Sequence, residues 1–235
     1  MYMSDKTIHV FVRHCHLSKI SLHKSRPPWF SREKCFENLL QTSDANTKIT
    51  VMFDGKKDGH FVTKYPVDIV ETEGGSETRS FRNMIQYVLS LPLDDNSIIY
   101  FLEDDYMHVP GWCNVMREAF AMNISEYVTM YDHKDKYFLP MYRNLQSRIL
   151  VTDSCHWRTV PSTTNTYAMR VGALKKHLEI HLQYSDVHTQ VSRDHEKFLH
   201  LNSIGSSLVS PIPGYSTHCE TAYLSPVVKW GTVKS

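Results

Sequence analysis

The stretch IIYFLEDD (residues 98–105) places five apolar or aromatic residues directly before three carboxylates. An unbroken apolar run of this length is typical of a strand buried on both faces of a parallel sheet. Because an unpaired carboxylate is too costly inside a sheet, Glu103, Asp104 and Asp105 must emerge where the strand ends. Open α/β sheets bind ligands at that edge, and clustered carboxylates there suit a divalent cation that holds phosphates. A solvated acidic turn is the alternative interpretation.

The sequence before this stretch alternates between strand and helix patterns. Three apolar runs predict further strands, at residues 7–12, 48–53 and 67–70. Helical spacing of apolar residues follows Ser31 and Ser76, which can cap helices, and a third helix is expected after residues 110–111. This alternation predicts one α/β domain with a mostly parallel central sheet and helices on both faces.

The second half is less regular, and its predictions are coarser. It contains two strand candidates, at residues 127–131 and 148–152. It also contains two helix candidates, at residues 171–182 and 189–201. The tail, residues 206–235, carries three prolines between 211 and 226 and is expected to be mostly loop.

Composition narrows the class of protein. The 235 residues are 41% hydrophobic, which is adequate for a packed core, and the net charge of +1 gives no argument for a nucleic-acid or membrane partner. No apolar run is long enough for a membrane span, and the polar residues 1–6 do not resemble a signal peptide. Five widely spaced cysteines without a Cys-x-x-Cys pair favour a reducing cytoplasm over a disulfide or zinc framework.

The segment FLEDDYMHVPGW (residues 101–112) resembles the metal-binding segment of GT-A fold glycosyltransferases. The segment resembles the family-2 type of these enzymes in general. Its Glu-Asp-Asp sequence resembles that of N-acetylglucosaminyltransferase I. The resemblance implies a single Rossmann-like GT-A domain over residues 1–235. It also implies a nucleotide-sugar-binding half, residues 1–122, and an acceptor-binding half with a C-terminal loop, residues 123–235.

The resemblance further implies the metal site. Asp105 would be the direct ligand of Mn²⁺ or Mg²⁺, while Glu103 and Asp104 would hold the ribose, the sugar or metal-bound waters. His218 matches a histidine that many GT-A enzymes place on a C-terminal loop as a second metal ligand. Such an ion neutralises the nucleoside diphosphate as it leaves the donor.

Other residues are expected in the donor pocket. Arg13 lies at the end of the first strand, where the nucleobase binds in such folds, and Asp54 ends the second strand, where an acid often contacts base or ribose. Arg79 and Asn83 lie one turn apart on a helix that can face the same pocket. The alternatives are that Asp54 is a turn residue and that Arg79 belongs to a solvated face.

Asp194 is the candidate catalytic base. Inverting enzymes of this fold carry an acid at the start of a late helix, where it removes a proton from the acceptor hydroxyl. Asp194 matches that relative position, but the residue before it is Arg193 rather than an acid, which leaves Glu196 as a rival base. An aspartate in a first helical turn is also favourable without any catalytic role.

These observations predict a metal-dependent, inverting glycosyltransferase that moves a sugar from a nucleoside-diphosphate sugar, with a UDP-sugar favoured, to a hydroxyl acceptor. The acceptor could be a glycan, a lipid-linked sugar, a protein or a modified nucleic-acid base, in a bacterial, phage or viral setting. One alternative is a metal-dependent nucleotidyltransferase, although residues 13–17 lack the glycine-rich phosphate loop of that class. Others are a metal-dependent nuclease and a nucleotide-sugar- or carbohydrate-binding module on an inactive transferase fold.

Overall fold

The central element of the fold is strand β1, which pairs on both sides with parallel neighbours. The structure, a computed structural model, describes residues 6–123 and 125–233. Its strands are β1 (Ile8–Cys15), β2 (Thr47–Asp54), β3 (Asp68–Thr72), β4 (Ile98–Glu103), β5 (Tyr106–His108), β6 (Tyr127–Val128), β7 (Ile149–Val151), β8 (His156–Val160), β9 (Tyr167–Arg170), β10 (Leu208–Ile212) and β11 (Ser216–His218).

Nine of these strands form one sheet, in the order β3-β2-β1-β4-β9-β6-β10-β8-β7. The first four are parallel, and their register places Arg13 opposite Glu103 and Cys15 opposite Asp54. The parallel half of the sheet therefore delivers the ends of β1, β2 and β4 to one edge, as the sequence predicts.

The other half of the sheet is mixed. Strand β9 lies antiparallel between β4 and β6, and β10 runs parallel to β6 but antiparallel to β8. The two remaining strands, β5 and β11, form a separate antiparallel pair. The fold is thus a single α/β domain with a large sheet and flanking helices, which confirms the predicted fold class.

The helices are α1 (Arg32–Thr42), α2 (Glu77–Ser90), α3 (Trp112–Ala121), α4 (Asp135–Phe138), α5 (Val171–Lys176), α6 (Leu178–Gln183) and α7 (Asp194–Ser203). Ser31 caps α1 by accepting a hydrogen bond from the Lys34 backbone, and Ser76 caps α2 in the same way from Arg79. Both predicted capping residues are confirmed. No helix in the described residues is long and apolar enough to cross a bilayer.

Alternating side chains of the sheet build two hydrophobic layers. Val10 and Val12 of β1 face the layer that holds α1 and α3, whereas Phe11 faces the layer that holds α2 and α7. Both faces are covered, which explains why the strands at the centre of the sheet are almost continuously apolar.

Three predictions for the second half are wrong in detail. The helix expected at 171–182 is divided at His177, whose ring meets the Tyr127 hydroxyl and whose backbone leaves helical geometry. The helix expected at 189–201 begins only at Asp194, because the preceding backbone is tied to Glu77 through the Ser192 amide. The tail expected to be loop contributes β10 to the large sheet and β11 beside β5.

Candidate active site

Only the first of the three acids continues the strand. Strand β4 ends at Glu103, and Asp104 and Asp105 form the turn that leads into β5. The three side chains consequently diverge, and each pairs with different cationic groups of this chain.

Glu103 accepts a hydrogen bond from Arg13, with Nη2 3.0 Å from Oε1. The same guanidinium lies 3.1 Å from the Glu77 carboxylate at the start of α2. Thr166, next to β9, contacts both the backbone amide and the carboxylate of Glu103. Arg13 therefore joins two carboxylates in a buried network and is fixed before any ligand binds.

Asp104 lies 3.1 Å from Arg32 Nε, at the first residue of α1, and 3.7 Å from the ring of His14. Burial raises the pKa of Asp104 to about 7, although Arg32 acts in the opposite direction. Burial also lowers the pKa of His14 to about 3, so that the ring is neutral at pH 7.

Asp105 and His218 lie side by side. The pairing of β11 with β5 sets His218 opposite Tyr106, and His218 Nε2 is 3.0 Å from Asp105 Oδ2. Burial acts to raise the pKa of Asp105, but His218, Lys24 and Arg26 outweigh it and hold that pKa well below its usual value. Asp105 is therefore ionised at neutral pH.

This pair consists of two residue types that can bind a metal ion. The 3.0 Å between Nε2 and Oδ2 is a hydrogen-bond distance, and Arg26 Nη2 lies 2.7 Å from the same carboxylate oxygen. A carboxylate and an imidazole are acceptable ligands for Mn²⁺. Within the described residues no group of three His, Cys, Asp or Glu side chains gathers around one point.

Asp54 is engaged by the backbone. Its carboxylate accepts hydrogen bonds from the amides of Gly74 and Gly75, at 2.6 Å and 2.9 Å. The approach is so close that a Cβ on Gly74 would lie 3.0 Å from Asp54 Oδ2. This geometry matches the turn alternative, because the carboxylate already anchors the loop before α2. A role in nucleotide binding stays a prediction.

Arg79 and Asn83 lie on α2, the first exposed and the second half-buried. Neither lines either of the two clefts described below. The structure does not bring them to the acids, and their assignment to the donor pocket also stays a prediction.

A polar cleft of about 420 Å³ lies at the start of α7 and contains both candidate bases. It is lined by His133, Asp135, Lys136, Tyr142, Ser162, Thr163, Thr164, Ser192, Arg193, Asp194, His195 and Glu196. Residues 162–164, which lie between β8 and β9, thus border the cleft that holds Asp194.

Asp194 is the less exposed of the two acids. Burial raises its pKa to about 7, with Lys197 acting against that rise. Its Oδ1 atom is buried and has no hydrogen-bond partner in the part of the chain that is described. Glu196 is exposed. A carboxylate with a pKa near neutrality is suited to accept a proton from a hydroxyl group.

A buried network links the start of α7 to Glu103. The Glu77 carboxylate holds the Ser192 amide at 2.7 Å and accepts from Asn165 at 2.8 Å, while Asn165 accepts from Lys197. Lys197 is fully buried, and burial lowers its pKa to about 8. Through Arg13, the same Glu77 connects this end of α7 to Glu103.

A second cleft, of about 500 Å³, lies at the ends of β1 and β2. It is lined by His16, Ser31, Arg32, Glu33, Gly59, His60, Phe61 and Lys64. Arg32 belongs to this cleft and also pairs with Asp104, so the cleft adjoins the acidic edge. Aromatic faces beside a guanidinium suit a planar base and its phosphates.

Sequence reasoning missed three cations that pair with Asp104 or Asp105. They are Lys24, Arg26 and Arg32. One signal was available, because a basic residue in the first turn of a helix, as Arg32 is, opposes the helix dipole and needs an acidic partner. Lys24 and Arg26 lie in an irregular loop whose path depends on distant contacts, and no local pattern marks them.

Comparisons with known proteins add little to what the structure shows about fold and function. No protein-family model matches the chain, and a comparison with curated proteins finds no match. A solved structure, 4-diphosphocytidyl-2C-methyl-D-erythritol synthase from Anaerococcus prevotii DSM 20548, is similar over 97% of this chain and 95% of that chain, with 10% sequence identity and a TM-score of 0.48. The fold class rests on the strand order above, and no functional conclusion follows from this likeness.

Proposed function

We propose that this chain is a nucleotide-dependent transferase and, more specifically, a metal-dependent inverting glycosyltransferase. The observation that carries the proposal is the pair formed by Asp105 and His218, two metal-ligand types 3.0 Å apart at the carboxyl edge of the sheet. This edge adjoins a cleft with aromatic and basic residues, and a buried network links it to the start of α7.

The donor, a nucleoside-diphosphate sugar, would bind across the carboxyl ends of β1, β2 and β4. Asp105 and His218 would hold a divalent ion, which supplies positive charge to the departing diphosphate. Arg13 would fix the orientation of Glu103, leaving that carboxylate in place for hydroxyl groups of ribose or sugar. A UDP-sugar remains the favoured donor.

The acceptor would occupy the cleft of about 420 Å³ beside Asp194. Asp194 would accept the proton of the attacking hydroxyl, because its pKa of about 7 makes it a competent base near neutral pH. Single displacement then inverts the configuration at the anomeric carbon. The functional division into halves at residue 122 and a cytoplasmic location belong to the same proposal.

A metal-dependent nucleotidyltransferase is the second candidate. Lys24, Arg26 and Arg32 gather beside the acids, and three cations at one edge also suit a triphosphate.

One experiment separates the candidates. The protein is incubated with Mn²⁺ and either a panel of nucleotide sugars or a panel of nucleoside triphosphates, and release of nucleoside diphosphate or of pyrophosphate is measured. Glycosyl transfer predicts nucleoside diphosphate from one nucleotide sugar and its loss in Asp105→Asn. Pyrophosphate release from a triphosphate would favour the second candidate instead. Stabilisation by a nucleotide sugar without turnover would indicate a binding module.

A further inference from the structure

The oxygen that faces His218 is already neutralised by two cations of the same chain. Arg26 Nη2 lies 2.7 Å from Asp105 Oδ2, and Lys24 Nζ lies 3.7 Å from the same atom. Lys24 Nζ is also 3.2 Å from His218 Nε2. Both basic groups thus stand where a metal ion would have to approach the two ligands.

The two cations come from the loop between β1 and α1, which has little regular structure beyond a short 3-10 turn at Lys19–Ser21. This loop is held to the tail by two hydrogen bonds: the Arg26 side chain donates from Nη1 to the Cys219 carbonyl at 2.7 Å, and the Thr221 amide donates to the Ser25 carbonyl at 2.9 Å. The side chains of Lys24 and Arg26 are 25% and 16% exposed, so a ligand at this edge of the sheet can contact both.

Charge balance decides what such a site accepts. Asp105, Lys24 and Arg26 together carry one net positive charge, so a bare divalent ion would raise the charge of this largely buried group to three. A nucleoside diphosphate together with its ion carries net negative charge and would restore neutrality. Guanidinium and ammonium groups are also favoured partners of phosphate oxygens.

We propose that Lys24 and Arg26 form a cation-exchange clamp for the diphosphate, an inference that rests on the proposed nucleotide-dependent function. In the free protein they neutralise Asp105. When the diphosphate binds together with its ion, the ion takes Asp105 and His218, and the two basic side chains move onto the phosphate oxygens. The ion and the diphosphate therefore bind together, and neither binds well alone.

The clamp predicts effects of opposite sign from one substitution. Arg26→Ala removes the group that competes with an ion for Asp105 Oδ2, so the affinity for Mn²⁺ alone should rise by roughly tenfold. The same change removes a charged hydrogen bond to phosphate, so the affinity for a nucleoside diphosphate measured with saturating Mn²⁺ should fall by roughly tenfold or more. Lys24→Ala should act in the same directions, with smaller effects because its contact is longer.

Mn²⁺ binding is measured by electron paramagnetic resonance of the free ion, and binding of UDP, GDP, CDP and ADP by calorimetry. Lys19→Ala, an exposed lysine on the same loop, is the matched control and should behave as the unchanged protein. In a protein that also carries Asp105→Asn, Arg26→Ala should no longer change either affinity. Melting temperatures confirm that each variant is folded, and Lys24→Ala replaces Arg26→Ala if the latter does not fold.

The outcomes distinguish the clamp from the function on which it rests. If the unchanged protein binds none of the four diphosphates in Mn²⁺, the proposed function fails and the clamp fails with it. If the unchanged protein binds a diphosphate and Arg26→Ala binds it equally well, only the clamp is overturned. A fall in both affinities would show that Arg26 supports the site merely by holding its structure, which also overturns the clamp.

Discussion

His218 Nε2 lies 3.0 Å from Asp105 Oδ2, although the two residues are 113 positions apart in the chain. The small sheet of β5 and β11 produces this contact, because β5 follows directly from the acidic turn and β11 ends at His218. The candidate metal ligands are therefore held by backbone pairing rather than by flexible side chains alone.

Asp105→Asn tests the metal assignment. The substitution keeps the shape of the side chain and removes its charge, so transfer should be abolished and Mn²⁺-dependent binding of a nucleoside diphosphate should weaken, while the protein stays folded. Activity within a few-fold of the unchanged protein would exclude Asp105 as the metal ligand. Circular dichroism provides the control for folding.

Asp194→Asn tests the base. Turnover should fall by about 10²–10⁴-fold, the usual contribution of a general base, while donor binding stays nearly unchanged. Glu196→Gln, which alters the exposed rival in the same cleft, should have a much milder effect. Proton NMR of the product checks the stereochemistry, and a retained anomeric configuration would rule out single displacement whatever the variants do.

The pH dependence of kcat/KM gives an independent test of Asp194. Because its pKa is raised to about 7 and the deprotonated form is the active one, kcat/KM should fall about tenfold for each pH unit below that value. This acid limb should be absent in Asp194→Asn. If the limb persists there, another group, such as Asp104, whose pKa is also raised to about 7, produces it.

Asp54→Ala separates two roles of one carboxylate. As the anchor of the Gly74 and Gly75 amides, Asp54 should contribute to folding, and its loss should lower the free energy of unfolding by about 1–3 kcal/mol without any nucleotide. A direct contact with the donor would add roughly a tenfold loss of donor affinity, about 1.4 kcal/mol. Urea unfolding and calorimetry measure the two effects, and unchanged stability would remove the anchoring role.

His181 provides a prediction about stability. It is fully buried between the hydroxyl groups of Tyr127 and Tyr167, and burial holds its pKa well below 6.5. Below pH 6.5 the unfolded chain therefore binds a proton that the folded protein does not. Relative to His181→Gln, the unchanged protein should lose up to about 1.4 kcal/mol of stability for each pH unit below that value.

Urea unfolding between pH 7 and pH 5 measures this difference. The control is His188→Gln, at an exposed position, which should follow the pH dependence of the unchanged protein. Parallel pH profiles for the unchanged protein and His181→Gln would contradict the burial argument.

The first half of the fold was predictable because its signals are local. The apolar run before Glu103 and the capping residues Ser31 and Ser76 each determine the structure of their own neighbourhood, and the structure confirms all three. The strand order needed more information, because the insertion of β9 beside β4 depends on residues far apart in sequence.

The tail was mispredicted for a physical reason. Pro211 argues against a central strand, because proline lacks the amide that a sheet requires. Strand β6, however, pairs with β10 only at Leu208 and Val209, so Pro211 lies beyond its reach and tolerates the missing donor. Likewise, the sequence suggested Asp105 and His218 as partners in one site, but not that Arg26 would pair with Asp105.

The two outer strands of the large sheet differ in what they offer to a second chain. Strand β3 carries Asp68 and Glu71, and charged side chains at an edge discourage further pairing. Strand β7 at the opposite end presents Ile149 and Val151, which are 59% and 65% exposed. Self-association at high concentration should therefore begin at β7. The substitution Ile149→Lys should weaken this association and raise the solubility of the protein.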